Sequence, residues 1–251
     1  MKKIEVRTMV RIAEIAPNVF QLSLYVAELQ LPFNEFLVVD DEPLLFHTGH
    51  RRSFEMVRQA LAAIVDPASL RWIGFSHFEA DECGALNQWL ALAPRAQPLC
   101  GILAARTSVA DYADRPPRAL AAGEVIATGA RRFVFQRTPH VPHGWEAGLL
   151  FEQTGRLLFC SDLLGQRGDQ GALTHGSVAE QSVQALIQMQ AGPMANSIPY
   201  TPYTDTILRR LAALRPALIA PMHGPAFEGD GERELQDYAQ GLAGALGSAQ
   251  A

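Results

Sequence analysis

The chain has 251 residues, 48% of them hydrophobic, and a formal net charge of −5. That much apolar material builds a sizeable core and excludes disorder, while the acidic balance argues against nucleic acid or an anionic membrane surface as a partner. No apolar run reaches the length of a membrane span, and Arg7, Arg11 and Glu14 interrupt the opening "MKKIEVRTMVRIAEIA", so neither a membrane anchor nor a secretory leader is expected.

In chain order, "VFQLSLYV" and "FNEFLVVDDEPLLFHTG" read as strands, with "DDEP" turning a hairpin between two apolar runs. A helix is predicted over "SFEMVRQALAAIVDP", with Ser53 as its N-cap and Pro67 as its stop. The strand "LRWIGF" follows, then an acidic loop, then a helix starting at Cys83 in "CGALNQWLALAP". Residues 113–124, "ADRPPRALAAGE", form a turn-rich stretch inside a domain rather than a boundary between two. "RRFVFQRTPH" and "AGLLFEQTGRLLFCSD" read as strands, the second as a hairpin. Late helices are predicted in "TDTILRRLAALRP" and "ERELQDYAQGLAGAL", with the short strand "ALIAPMHG" between them. Strands covered by returning helices predict an α/β fold, one domain over residues 1–251.

Four of these strands end on side chains that bind metals. "LRWIGF" runs into His77, Glu79, Asp81 and Glu82; "RRFVFQRTP" into His140 and His143; "RLLFCS" into Asp162; "ALIAPM" into His223. Strand ends on the way into helices are where open α/β folds gather ligand sites. Three imidazoles and three carboxylates suffice for two metal ions with one carboxylate bridging. Nitrogen-rich sets suit zinc, whereas added carboxylates suit harder ions, so the balance leans towards iron with zinc or manganese as alternatives. Spacing alone does not separate His140 from His143. Taken singly, His47, His50, His140 and His175 read as packed or capping residues, and the pair Asp81-Glu82 also suits the N-terminus of a helix. Three cysteines, Cys83, Cys100 and Cys160, with no CxxC pair, fit a reducing cytoplasm and exclude a cysteine-ligated zinc or rubredoxin-like iron site. Cys83 and Cys160 read as packing residues rather than a redox relay.

At these residues the sequence resembles the metallo-β-lactamase superfamily, from "FNEFLVVDDEPLLFHTG" through "HFEAD", "TPHVPHG" and "LFCSD" to "PMHG". The resemblance implies a four-layer αββα sandwich, two central mixed sheets flanked by helices. Hydrolases of that superfamily carry H-x-H-x-D-H where this chain reads His77-Phe78-Glu79-Ala80-Asp81-Glu82. Glu79 in place of a histidine is similar to the di-iron branch, the flavodiiron proteins, which reduce oxygen or nitric oxide. Two departures stand out. Glu82 replaces that branch's next histidine, and Ala251 comes too soon for a flavodoxin or rubredoxin domain, so no flavin is expected on this chain. Both departures resemble the oxygen-binding di-iron proteins, whose signature "HFEADECGALN" is similar to.

By this resemblance one iron takes His77, Glu79 and His143, the second takes Asp81 and His223, and Asp162 bridges them. The preference for His143 over His140 comes from the resemblance. Glu82 either fills the position left by the missing histidine or turns outward to solvent or a neighbouring subunit. Tyr200 or Tyr203, on a turn before the last ligand strand, is a candidate hydrogen-bond donor to a bound oxygen species. Glu82 and Tyr203 are thus the expected catalytic residues. The resemblance implies a protein that binds and slowly reduces dioxygen or another diatomic, as a sensor or carrier, supplied by a separate electron donor or signalling protein. The alternative is a metal-dependent hydrolase acting through a metal-bound hydroxide; a third reading keeps the fold as an interaction module. A homodimer is left open.

Overall fold

The computed structural model describes residues 9–247; the opening lysines and Arg7 lie outside the described residues. Fourteen strands form two seven-stranded sheets among the described residues. The first contains β1 (Arg11–Ala16), β2 (Val19–Val26), β3 (Leu31–Val38), β4 (Leu44–Phe46), β5 (Trp72–Gly74), β6 (Gln97–Gly101) and β7 (Arg118–Leu120), in that order across the sheet. Its first three junctions are antiparallel and its last three parallel. The second sheet contains β8 (Val125–Ala127), β9 (Arg132–Arg137), β10 (Gly148–Glu152), β11 (Leu157–Ser161), β12 (Leu173–Thr174), β13 (Leu218–Pro221) and β14 (Ala226–Glu228). Its spatial order is β12-β14-β13-β11-β10-β9-β8, with β11 and β13 parallel.

Period-two alternation explains the layering. Along β3, Phe36 and Val38 enter the layer between the sheets while Leu37 faces outward. Along β11, Leu157 and Phe159 enter the same layer while Leu158 and Cys160 face the other way. Each outer face is then covered. Helices α1 (Phe54–Ala62), α2 (Ala80–Cys83) and α3 (Leu86–Leu92) pack Val57, Leu61, Leu86 and Trp89 on the first sheet. After β6 come α4 (Ile102–Ala104) and α5 (Ala110–Tyr112), joined by a π-turn over Ala105–Val109. Helices α6 (Ala179–Gln190), α7 (Thr204–Ala212) and α8 (Gly231–Leu246) cover the second sheet through Val183, Leu208, Leu211, Leu235 and Tyr238. Three apolar layers between four structural layers make the expected αββα sandwich.

Several local expectations need correction. The helix predicted from Cys83 is two short ones, α2 and α3, broken at Gly84-Ala85. Ser53 occupies the position before α1 but does not cap it, because its hydroxyl donates to His50 O at 2.8 Å. Pro67 opens a separate 3-10 turn, Pro67–Ser69, after α1 has ended at Ala62. The turn-rich stretch 113–124 contains the edge strand β7. Helix α6 has no counterpart in the predicted elements; its glutamine-rich face hides a narrow apolar stripe.

Candidate metal centre

Each ligand candidate is delivered where an apolar strand runs out. β5 ends two residues before Ser76, β11 ends at Ser161 immediately before Asp162, and β13 ends two residues before His223. β11 and β13 are parallel neighbours, so Asp162 and His223 emerge side by side. The first sheet joins them across the sandwich, where Gly148 N–H donates to Ser76 O at 2.9 Å.

The structure brings His77, Glu79, His143 and Asp162 together, one donor atom from each lying within 4.8 Å of the others. Glu79 Oε2 lies 2.9 Å from His77 Nε2 and 3.2 Å from His143 Nε2. Asp162 faces both halves of the site: Oδ2 is 2.9 Å from His143 Nε2, and Oδ1 is 3.5 Å from His223 Nε2. His223 Nε2 is also 3.6 Å from Asp81 Oδ2. Two of the imidazoles are oriented from behind. His223 Nδ1 donates to Pro32 O at 2.8 Å, and His77 Nδ1 lies 2.7 Å from Ser76 Oγ, so both turn Nε2 into the site.

Charge makes the same point. Among the described residues, no Lys or Arg pairs with Glu79, Asp81, Glu82 or Asp162, and only imidazoles face them. Burial pulls His77 down, but the carboxylates of Glu82, Glu79 and Asp162 outweigh it and lift the imidazole to about 9. Burial likewise opposes His143, which Asp162 and Glu79 raise to about 10. Burial and the charges of Asp162 and Glu82 push Asp81 up to about 7. Glu79 is held below the usual carboxylate range by hydrogen bonds from His143 and His77. Burial works against the charged form of Asp162, yet the His143 hydrogen bond and the His77 and His223 charges bring it to about 2. Acids gathered without Lys or Arg, beside His77 and His143 whose pKa values they raise, fit a cation that would displace those protons. The donor set therefore fits metal.

The remaining expected residues fall elsewhere. Tyr203 is 70% exposed at the start of α7, and its backbone N–H donates to Thr201 Oγ1. Tyr200 packs against the apolar layer beneath the second helix set. The structure brings neither tyrosine to the cluster: one is solvent-exposed and the other packs on the second sheet's apolar layer. Glu82 is fully buried and corrects both expectations: it neither turns outward nor joins the ligand group. Instead Oε2 accepts from Ser76 N–H at 3.0 Å and Oε1 from Ser161 Oγ at 2.6 Å. His140 stays out of the cluster, its N–H donating to Gly144 O. Cys83 and Cys160 are buried free thiols, each pushed up by burial and donating to a backbone carbonyl. Ser76, Ser161 and Asn34 were not singled out in the sequence. The signal for the serines was present, since each directly precedes a ligand candidate in "FSH" and "CSD".

A family model described as "ODP family beta lactamase" matches residues 31–224, which spans every strand end described above. The chain belongs to this family. Within the family's matched span lie all six ligand candidates. A "Nitric oxide reductase" from Moorella thermoacetica is 26% identical over 215 residues, 83% of this chain and 52% of the relative. A "Rubredoxin-oxygen oxidoreductase" from Megalodesulfovibrio gigas is 23% identical over 78% of this chain and 49% of its own length. The chain thus spans about half the length of the curated relatives it matches. Among solved structures, residues 1–254 of a putative diflavin flavoprotein from Nostoc superpose with a TM-score of 0.78 at 17% identity, covering 94% of this chain and 96% of that one. The flavodiiron protein from Giardia intestinalis gives 0.75 at 14% identity, over 94% of this chain and 60% of that one. These likenesses establish the fold.

Proposed function

We propose that the chain, acting as one unit over residues 1–251, holds two iron ions and binds dioxygen or another small diatomic such as nitric oxide, as a sensor or carrier. His77, Glu79 and His143 hold one iron, Asp81 and His223 the other, with Asp162 between them. The observation that carries this reading is Glu79, a carboxylate set between His77 and His143 where the hydrolase pattern has another imidazole. Anionic ligands stabilise the higher charge that iron reaches on oxidation, which favours iron over zinc. The names of the relatives, which act on nitric oxide and oxygen, agree with the reading.

An iron pair held by these residues would supply two-electron redox chemistry towards a small diatomic. The rest belongs to the chain's own groups. His77 and His143 release their Nε2 protons when a cation enters, and Asp162 turns one carboxylate oxygen to each half. A cavity of about 450 Å³ lined by His77, Glu79, His143, Phe78 and Trp145 opens the site to a small diatomic. Electrons come from a separate donor, or the bound state is read by a signalling protein. No described helix is long and apolar enough to cross a membrane, and a reducing cytoplasm suits the three buried thiols.

The test is an anaerobic titration of the metal-free protein with ferrous iron, followed by oxygen, with visible absorption recorded. Uptake of two equivalents and a new band that fades slowly without reductant is the expected result. Tight zinc binding with no spectral response to iron and oxygen would transfer the site to hydrolytic chemistry. Rapid, repeated oxygen consumption without an added reductase would contradict the sensor or carrier role.

A further inference from the structure

We propose that Glu82 is a positioning residue: it stands behind the ligands and, through the hydroxyls of Ser161 and Ser76, fixes the proton of His77 on Nδ1 so that Nε2 is left to bind metal. This rests on the metal reading above but on neither iron nor oxygen. Glu82, Ser161, Ser76 and His77 form one buried line. Ser161 Oγ donates to Glu82 Oε1 at 2.6 Å, Ser76 Oγ donates to Ser161 Oγ at 2.7 Å, and Ser76 Oγ is 2.7 Å from His77 Nδ1.

The direction follows from counting protons. Glu82 Oε1 accepts from Ser161 Oγ, so Ser161 spends its one hydroxyl proton there. Ser76 then spends its own on Ser161. Ser76 Oγ has nothing left to give His77, so Nδ1–H must donate to it. That leaves Nε2 directed at Glu79 and Asp162, at 2.9 and 3.7 Å. A carboxylate behind a ligating imidazole also makes that imidazole a stronger donor.

The surroundings are built to hold Glu82 there. Ser76 N–H donates to its other oxygen at 3.0 Å. The His47 ring packs on the far side, anchored by Nδ1 donating to Asn34 O at 3.1 Å, with Nε2 3.2 Å from Oε2 but making no hydrogen bond to it. Ser161 and His47 both have positive φ, +55° and +66°, and neither is a glycine. Residues are held in that region only where the surroundings demand it. Thr48 N–H donates to Glu82 O at 2.8 Å and fixes the backbone from which the side chain springs.

Glu82→Gln gives a directed test. Its amide oxygen is needed by Ser76 N–H, so its NH₂ group faces Ser161 and donates where the carboxylate accepted. The line then reverses, Ser76 donates to His77 Nδ1, and the proton is driven to Nε2. Zinc alone is the probe, titrated into the metal-free full chain, and ¹⁵N-histidine NMR of the zinc-loaded protein reads the His77 proton. The expected result is affinity lower by about 10- to 100-fold, unchanged stoichiometry, and loss of the exchange-protected Nδ1–H signal expected of the wild type. Ser161→Ala breaks the same line while keeping Glu82, so it should act in the same direction, and the double variant should lose less than the two single losses combined. If Glu82→Gln does not fold, Ser161→Ala carries the test. Wild-type affinity with a retained Nδ1–H signal would overturn the proposal. So would loss of a whole zinc equivalent, which would make Glu82 a ligand. A wild-type chain that takes up no zinc would overturn this proposal and the metal reading together, whereas failure to respond to oxygen would sink only the iron and oxygen chemistry.

Discussion

His143 and His140 are three positions apart, yet only one of them can serve the site. His143 Nε2 lies 2.9 Å from Asp162 and 3.2 Å from Glu79, while the backbone of His140 closes the loop through Gly144 and its ring stays outside the cluster. Replacing a ligand should cost more than the tenfold to hundredfold loss typical of an outer partner. His143→Ala is therefore expected to lower metal affinity by more than about 100-fold. His140→Ala should leave it within about threefold, since a residue outside both shells contributes no bond. Calorimetric titration of both variants with zinc decides it, and equal losses would remove His143 from the ligand set.

At the scale of elements, the two sheets are tied by turns as well as by apolar contact. Asp40, on the turn between β3 and β4, accepts from Thr128 Oγ1 at 2.8 Å, Arg131 N at 3.0 Å and Ala130 N at 3.2 Å. The first sheet's hairpin thereby grips the turn between β8 and β9 of the second. Burial is the largest single effect and opposes the charged carboxylate, but these hydrogen bonds together outweigh it and hold Asp40 below the usual carboxylate value. A carboxyl with a depressed folded pKa adds stability above its unfolded value of about 4, and that share is lost as pH falls through the folded pKa. Asp40→Asn should thus lower the melting temperature at pH 7. The gap from wild type should close as the pH drops below about 4. A gap that stays constant from neutral to acid pH would show that the charge of Asp40 contributes nothing.

On the scale of the whole molecule, Asn34 of the first sheet holds the last ligand loop of the second. Its side-chain Nδ2 donates to Pro221 O at 2.9 Å and Gly224 O at 2.8 Å, its backbone N–H donates to Met222 O, and the neighbouring Pro32 O receives His223 Nδ1. Asn34→Ala strands buried carbonyls and should cost about 1–3 kcal/mol of stability. Because His223 is the side chain on that loop, the variant should also weaken the Asp81–His223 half more than the His77–Glu79–His143 half. Denaturant unfolding and a two-step zinc titration read the two effects separately. Equal weakening of both steps would contradict the link.

How legible this protein was depends on the range of the interactions involved. Apolar runs such as "RLLFCS" and "ALIAPM" are buried on both faces, so strand and ligand candidate could be read together from neighbouring residues. The edge strand β7, partly exposed and set among prolines, gave no such run and was read as turns. Helix α2 was placed wrongly because it has only four residues. A helix that short is held by tertiary hydrogen bonds such as Thr48 N–H to Glu82 O, not by its own propensity. Tyr203 was favoured for its nearness in sequence to the last ligand strand, but the turn it sits on faces solvent. By itself the sequence determined the layered α/β class and the ligand types at four strand ends, because burial period and side-chain chemistry are local properties. Only the tertiary structure decided which histidine faces Asp162 and that Glu82 looks inward to Ser161. Those choices depend on hydrogen bonds between residues 19 and 79 positions apart, and such contacts exist only once the two sheets have packed.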